Sequence, residues 1–267
     1  MKKRLFLSLL LIVVGVPLLG YVAATIAGAF ARDLSAVDAS AVALPPVATI
    51  NASANAYTEL QQAVEAFSYP DADTTLANPA VKQALDGTGW DAETLQDILD
   101  NNADALALFT SASTKEYQDP SFVDPARVDL NAMLAINFSA YRRLAEVQGV
   151  AALDQLDRKQ TDAAAATALT MVKLGRSMES SYGSLVHYLV AQRVKELGVD
   201  VLARITAAEQ LSPGMRQEAL DVLSTSYDRG AYVTQALKFE NALLRNTEPS
   251  HADKIMMGEV TFGPVFA

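Results

Sequence analysis

Apolar residues recur at three- and four-residue spacing along most of the chain, and short polar turns separate the periodic runs. That period marks amphipathic helices. It is clearest over 185–208, where Val186, Val190, Val194, Leu197, Val201 and Ile205 are spaced by four, four, three, four and four residues. β-branched residues are not favoured by helix propensity, so this spacing reflects a buried face. Two further runs, 135–156 and 162–178, complete a central block of three helices. In 135–156 the inward positions are Tyr141, Leu144, Ala145, Ala152, Leu153 and Leu156. Arg142, Arg143 and Glu146 face outward or into a groove.

The flanks extend that block. The period predicts a helix over 53–67, on Tyr57, Leu60, Val64 and Phe67. A short helix follows over 79–85, with Asn78 as N-cap, Pro79 at the first position and Gly87 and Gly89 as the stop. Asp91 caps a single longer helix over 92–110, buried through Leu95, Ile98, Leu99, Asn102, Leu106 and Phe109. Ser212-Pro213 opens another, with the stripe Met215, Ala219, Leu220, Leu223 and Tyr227. The last, over 229–245, carries Tyr232, Ala236, Leu237, Phe239 and Leu243. Residues 68–78 and 111–129 read as loops, the second long enough to wrap over the stack. Period-two alternation is scarce, and alanine, the best helix former, is the commonest residue. The expected fold is all-α: a right-handed stack of antiparallel helical hairpins over residues 50–267.

The N-terminus breaks the pattern. Lys2, Lys3 and Arg4 precede 5–30, which holds no charge. As a helix it would extend about 39 Å, enough to cross a hydrocarbon core. The favoured expectation is an uncleaved single-pass anchor over 1–30. The alternative is a signal segment cleaved near Ala29, at Ala27-Gly28-Ala29. In both cases the basic residues keep the N-terminus cytoplasmic and the domain lies in the periplasm. Residues 31–49, rich in alanine and ending in Pro45-Pro46, read as a semi-rigid linker. The apolar tail over 255–267 either docks on the last hairpin or belongs to a longer chain.

Charge narrows the partners. The formal net charge is −10, and Lys2, Lys3, Arg4 and Arg32 all precede the first acidic residue, Asp33. The domain itself is therefore more acidic still. It has no basic footprint for a phosphate backbone, so no nucleic-acid partner is expected. With no cysteine in the chain, disulfides, thiol catalysis and iron–sulfur clusters are excluded.

The segment LAEVQGVAALDQLDRKQTDAAAATALTMVKLGRSM, from Leu144 to Met178, resembles one helix–turn–helix of a tetratricopeptide-type repeat. Gly149, Ala152, Ala165 and Ala168 stand at small-residue positions. The N-terminal segment, with NAYTELQQAVEAF, NNADALALF and LVHYLVAQRVKELGVDVL, resembles uncharacterised bacterial proteins that carry one membrane helix and an exported all-α domain. The resemblance implies a repeat-like scaffold and brings no activity with it.

Candidate chemistry is sparse. Glu179-Ser180-Ser181-Tyr182 is similar to the Glu-Ser-x-aromatic motif of lytic transglycosylases, in which the glutamate is the general acid. That role needs a carboxyl group in an apolar cleft. The simpler alternative is a solvated helix end, for which Glu179→Gln leaves the fold intact. His187, beside the valine stripe, reads as a packed helix residue, and His251 as part of a polar loop. Neither nucleotide-loop nor hydrolase-elbow spacing occurs, and neither a cofactor nor a metal is expected. The expected function is a membrane-tethered, non-enzymatic scaffold in the envelope, binding a protein or peptide through Arg142, Arg143 and Glu146. The alternatives are a glycan-cleaving envelope enzyme acting through Glu179 and a binder of a soluble ligand between hairpins.

Overall fold

A computed structural model describes residues 43–68, 78–128, 131, 133, 136–225 and 228–246. Among them the chain forms nine α-helices and no strand, only an isolated bridge between Asn55 and Glu116. The helices are α1 (Ala56–Ala66), α2 (Pro79–Asp86), α3 (Ala92–Asn101), α4 (Ala103–Ala112), α5 (Phe138–Asp157), α6 (Thr161–Ser180), α7 (Leu185–Ala208), α8 (Pro213–Ser224) and α9 (Arg229–Asn246). The protein is all-α, as the periodicity implies. Among the described residues no helix is long and apolar enough to cross a membrane. The segment read as an anchor, 1–30, lies outside them, as do most of the linker and the tail over 255–267.

Local chemistry sets most boundaries. The Asn78 side chain accepts from the Ala80 amide at 2.9 Å, Pro79 opens α2, and Gly87 closes it with φ at 71°. Ser184 caps α7 through the His187 amide, and Ser212 caps α8 ahead of Pro213. Asn137, expected inside a helix, is instead the N-cap of α5, accepting from Ala140 at 3.0 Å. The helix expected over 92–110 is two helices. Asn102 breaks it, because its buried carboxamide is spent on backbone. Its nitrogen donates to the Ile98 and Ser68 carbonyls, and its oxygen accepts from the Ser68 amide.

Helices α5, α6 and α7 form the centre. Gly175 of α6 lies opposite Ala191 and Lys195 of α7, and Gly198 of α7 lies opposite Ala168 and Met171 of α6. The pairing order reverses along the two helices, so they run antiparallel. A Cβ at Gly175 would stand 2.7 Å from the Lys195 nitrogen, and one at Gly198 would stand 2.8 Å from the Ala168 oxygen. These glycines let the two backbones touch. The apolar core around them includes Leu144, Leu169, Met171, Leu174, Val194, Val201 and Ile205.

The valine stripe of α7 is buried only from Val194 onward. Val186 and Val190 are half-buried, and the first turns bury His187, Tyr188 and Ala191 instead. The outer helices are thinner. In α8 only Ala219 is buried, and Leu220 and Leu223, expected inside, are exposed. In α9, Ala236, Phe239 and Leu243 are buried and Leu237 is exposed. Phe239 and Leu243 pack with Phe122 and Val128, so the long loop after α4 packs against α9.

Candidate functional site

The paired arginines do not form an open surface. Arg143 is buried, its side chain 3% exposed, and it donates to Glu146 Oε2 at 2.7 Å. Arg142 is 42% exposed and lies 3.7 Å from the other Glu146 oxygen. Glu146 sits between two guanidinium groups of its own helix, as residues three and four apart on a helix can. Only Arg142 is placed to meet a partner directly.

Glu179 is not a solvated helix end. Its side chain has no exposed area, and Lys195 Nζ stands 2.7 Å from both of its oxygens. The pair joins α6 to α7 one turn from the Gly175 contact. A general acid must reach the oxygen it protonates. Glu179 reaches only its own lysine.

His187 is wholly buried. Burial lowers its pKa to about 4, so its ring is neutral at pH 7. The ring stacks on Tyr117, with centroids 5.2 Å apart, and its Nε2 has no hydrogen-bond partner. Burial also raises the pKa of Tyr117 and of Asp119 beside it. These rings are in mutual contact and form part of the core. Among the described residues no group of His, Asp and Glu is placed to hold a metal ion. His251 lies outside them.

A groove of about 540 Å³ opens between α3–α4 on one side and α5–α6 on the other. Leu99, Ala103, Leu106, Ala107 and Ala151 give it apolar, mostly small walls. Its polar groups include carboxamides and hydroxyls. Gln148 spans from α4 to α6, donating through Nε2 to Thr110 Oγ1 at 3.1 Å and to Thr170 Oγ1 at 3.4 Å. Its Oε1 is buried without a donor, a state that costs about 1–3 kcal/mol. Gln155 Oε1 accepts from Thr167 Oγ1 at 2.8 Å. At the end of α5, Arg158 pairs with Asp154 at 3.0 Å and donates to Gln96 of α3 at 2.7 Å. The charges of this latch are matched, so the groove presents polarity without net charge. Among the described residues no aromatic ring lines it.

A second cleft, of about 380 Å³, lies against residues 44–50. This stretch, the end of the segment read as a linker, has no regular secondary structure and is held by the domain. Gln118 Oε1 accepts from the Ile50 amide at 2.8 Å, and its Nε2 donates to the Ala48 carbonyl at 3.0 Å. The Val47 amide donates to the Val123 carbonyl at 3.0 Å, and Tyr182 Oη donates to the Pro45 carbonyl at 2.8 Å. Leu44 packs against the cluster of Phe122, Val128, Phe239 and Leu243.

Comparison of the chain with family models, curated proteins and solved structures finds no match.

The groove residues Gln148, Gln155, Thr110 and Thr167 were not singled out by the sequence pattern. One signal was present: Gln148 and Gln155 lie seven residues apart, so two glutamines share a face of a helix rich in alanine and leucine.

Proposed function

We propose that the protein is a membrane-tethered scaffold of the bacterial envelope that binds a protein or peptide in the groove between α3–α4 and α5–α6. In this reading residues 5–30 form the tether, the N-terminus is cytoplasmic and the helical domain faces the periplasm. The helices form a stack of antiparallel hairpins of tetratricopeptide-like type, whose stacking leaves a concave surface for a partner. The groove is the observation that carries the proposal. It is large enough for several side chains, apolar on its walls, polar in its depth and free of a charged reactive group. Arg142 does not line the groove; paired with Glu146 and partly exposed on another side of α5, it offers a second, cationic contact for the partner.

Site-specific photocross-linking tests this. A benzophenone side chain at Ala107, exposed on the groove wall, should form a polypeptide adduct in irradiated cells, and one at Leu220 should not. Protease added to spheroplasts before irradiation should abolish the adduct, as an outward-facing domain requires. No adduct at Ala107 and none at Ala151 would rule out the groove as the partner site.

A further inference from the structure

We propose that a third cleft, of about 300 Å³, binds an uncharged saccharide, with Trp90 as the flat face on which a sugar ring rests. The cleft lies where the ends of α5 and α7 meet the connection between α2 and α3. It shares no lining residue with the groove, so the proposal does not depend on the groove being the partner site.

Trp90 is the chain's only tryptophan, and it is 40% exposed. Tryptophan ordinarily buries most of its large surface. Here the backbone is held on both sides of the ring. Before it, the Gly87 amide donates to the Ala84 carbonyl at 3.2 Å and the Thr88 amide to the Gln83 carbonyl at 2.9 Å, which closes α2. After it, Asp91 caps α3, accepting from the Thr94 amide at 3.2 Å and from the Thr94 hydroxyl at 2.8 Å. Arg204 of α7, which also lines the cleft, donates to the Ala84 and Leu85 carbonyls at 2.9 and 2.7 Å and ties this connection down. An exposed ring on a fixed backbone loses little freedom when a ligand covers it.

Lys159 points the same way. The end of α5 repeats the end of α2: the Lys159 amide donates to the Leu156 carbonyl at 2.9 Å and the Gln160 amide to the Gln155 carbonyl at 2.9 Å. The residue at this place in the motif has a left-handed backbone and is usually glycine, as Gly87 is in α2. In α5 it is lysine, with φ at 63°, the one non-glycine residue of positive φ among the described residues. A strained residue kept in a cleft suggests a use for its side chain. Lys159 Nζ stands 3.1 Å from Glu209 Oε1, so the lysine joins the end of α5 to the end of α7.

The lining selects the ligand. Leu153, Leu156 and Ala208 are apolar, Lys159 and Arg204 donate hydrogen bonds, and Asp157 and Glu209 accept them. Two positive and two negative groups leave no net charge. An ion would match half of this set and meet the other half as like charge. An apolar ligand would take water from charged groups without replacing its hydrogen bonds. A sugar has a C–H face for the indole and hydroxyls that both donate and accept. The cleft is at the small end of ligand sites, which run to about 300–1,000 Å³. A protein partner would need far more room, since a stable interface covers about 800 Å² on each side.

The test uses the full chain in a detergent without a sugar head group. Because Trp90 is the only tryptophan, its emission reports on the cleft directly. The probes are maltotriose, cellotriose, mannotriose and tri-N-acetylchitotriose. At least one should move the emission to shorter wavelength and saturate. Its midpoint should be the same at about 0.05 and about 0.5 M salt, because an uncharged ligand is not screened. By calorimetry, that probe should bind Trp90→Ala at least about tenfold more weakly. Lys159→Gly should bind it about fivefold more weakly while melting no lower than the parent, since glycine suits the left-handed turn. This variant keeps the test open if Trp90→Ala melts early. No emission change with any of the four probes would overturn the proposal. So would a midpoint that rises with salt, or parental affinity in either variant. Adducts at Ala107 are expected in every case, so the scaffold reading stands or falls separately.

Discussion

Lys195 holds both oxygens of Glu179 at 2.7 Å across the crossing of α6 and α7, beside the glycine that lets those helices touch. Glu179 has no exposed side-chain area, whereas Lys195 keeps a small exposed edge. Removing one partner of such a pair leaves the other charge buried. Glu179→Ala should therefore cost about 3 kcal/mol, the lower part of the range for broken buried pairs, because Lys195 retains some access to water. The double variant Glu179→Met/Lys195→Met should recover most of that loss. Urea unfolding of the parent, the single and the double variant checks both. A single variant as stable as the parent would mean the pair contributes nothing.

The buried histidine predicts a pH dependence. Unfolded, His187 titrates near 6.5; folded, it titrates at about 4. Between those values the unfolded chain takes up a proton that the folded one refuses. Its contribution is thus intact above pH 6.5 and is lost as the pH falls toward 4, by about 3 kcal/mol. Asp119 and Glu240, whose pKa values burial raises, act in the opposite sense, since their folded forms favour the proton. The clean measurement is a difference. His187→Phe keeps a ring against Tyr117, so its stability relative to the parent should improve by about 3 kcal/mol between pH 7 and pH 4. Parallel stability curves would assign the acid sensitivity to other groups.

Much of the fold was legible because caps and burial period agreed. Asn78-Pro79, Asp91 and Ser212-Pro213 each fixed a helix start to within a residue. Where tertiary contacts compete with the local pattern, the sequence misleads. Asn102 has the spacing of a core residue and is buried, yet it is there to hold Ser68 and so ends α3. Leu220, Leu223 and Leu237 keep helical spacing on helices that meet the stack along one narrow line. Glu179 looked like a helix end because its partner is 16 residues away, on the next helix. The groove was hidden for a related reason: it draws on four helices, and its glutamines are ordinary surface residues until α4 and α6 close around them.

The two kinds of glycine in the helices separate packing from backbone freedom. At Gly198 an added Cβ would sit 2.8 Å from the Ala168 oxygen and 2.9 Å from Met171 Cβ, neither of which can rotate away. Gly198→Ala should force α6 and α7 apart and cost about 1–3 kcal/mol. At Gly214, in the first turn of α8, nothing lies within 4 Å of the same atom. Gly214→Ala should be neutral or stabilise by up to about 1 kcal/mol, because alanine restricts the unfolded chain and suits a helix. In thermal melts Gly198→Ala should fall below the parent and Gly214→Ala should not. If Gly198→Ala melts with the parent, the helices do not approach as closely as the glycines allow.

Gln118 offers a direct check on backbone reading by a carboxamide in this protein. Its two ends hold the Ile50 amide and the Ala48 carbonyl, and its own backbone is held by Asn55, which accepts from the Gln118 amide at 3.0 Å and donates to its carbonyl at 2.6 Å. Asn55 also caps α1, so the clamp is built on a fixed element. Gln118→Leu keeps the side-chain bulk and removes two hydrogen bonds, each contributing about 0.5–1.5 kcal/mol. The segment 44–50 should then open locally without global unfolding. Amide exchange at Ile50 should speed by at least tenfold, while amides in the middle of α6 keep their protection. A smaller increase should follow at Val47, whose partner is the Val123 carbonyl rather than Gln118. Unchanged protection at Ile50 would show that apolar packing of Leu44 against the Phe122–Phe239 cluster holds the segment without Gln118.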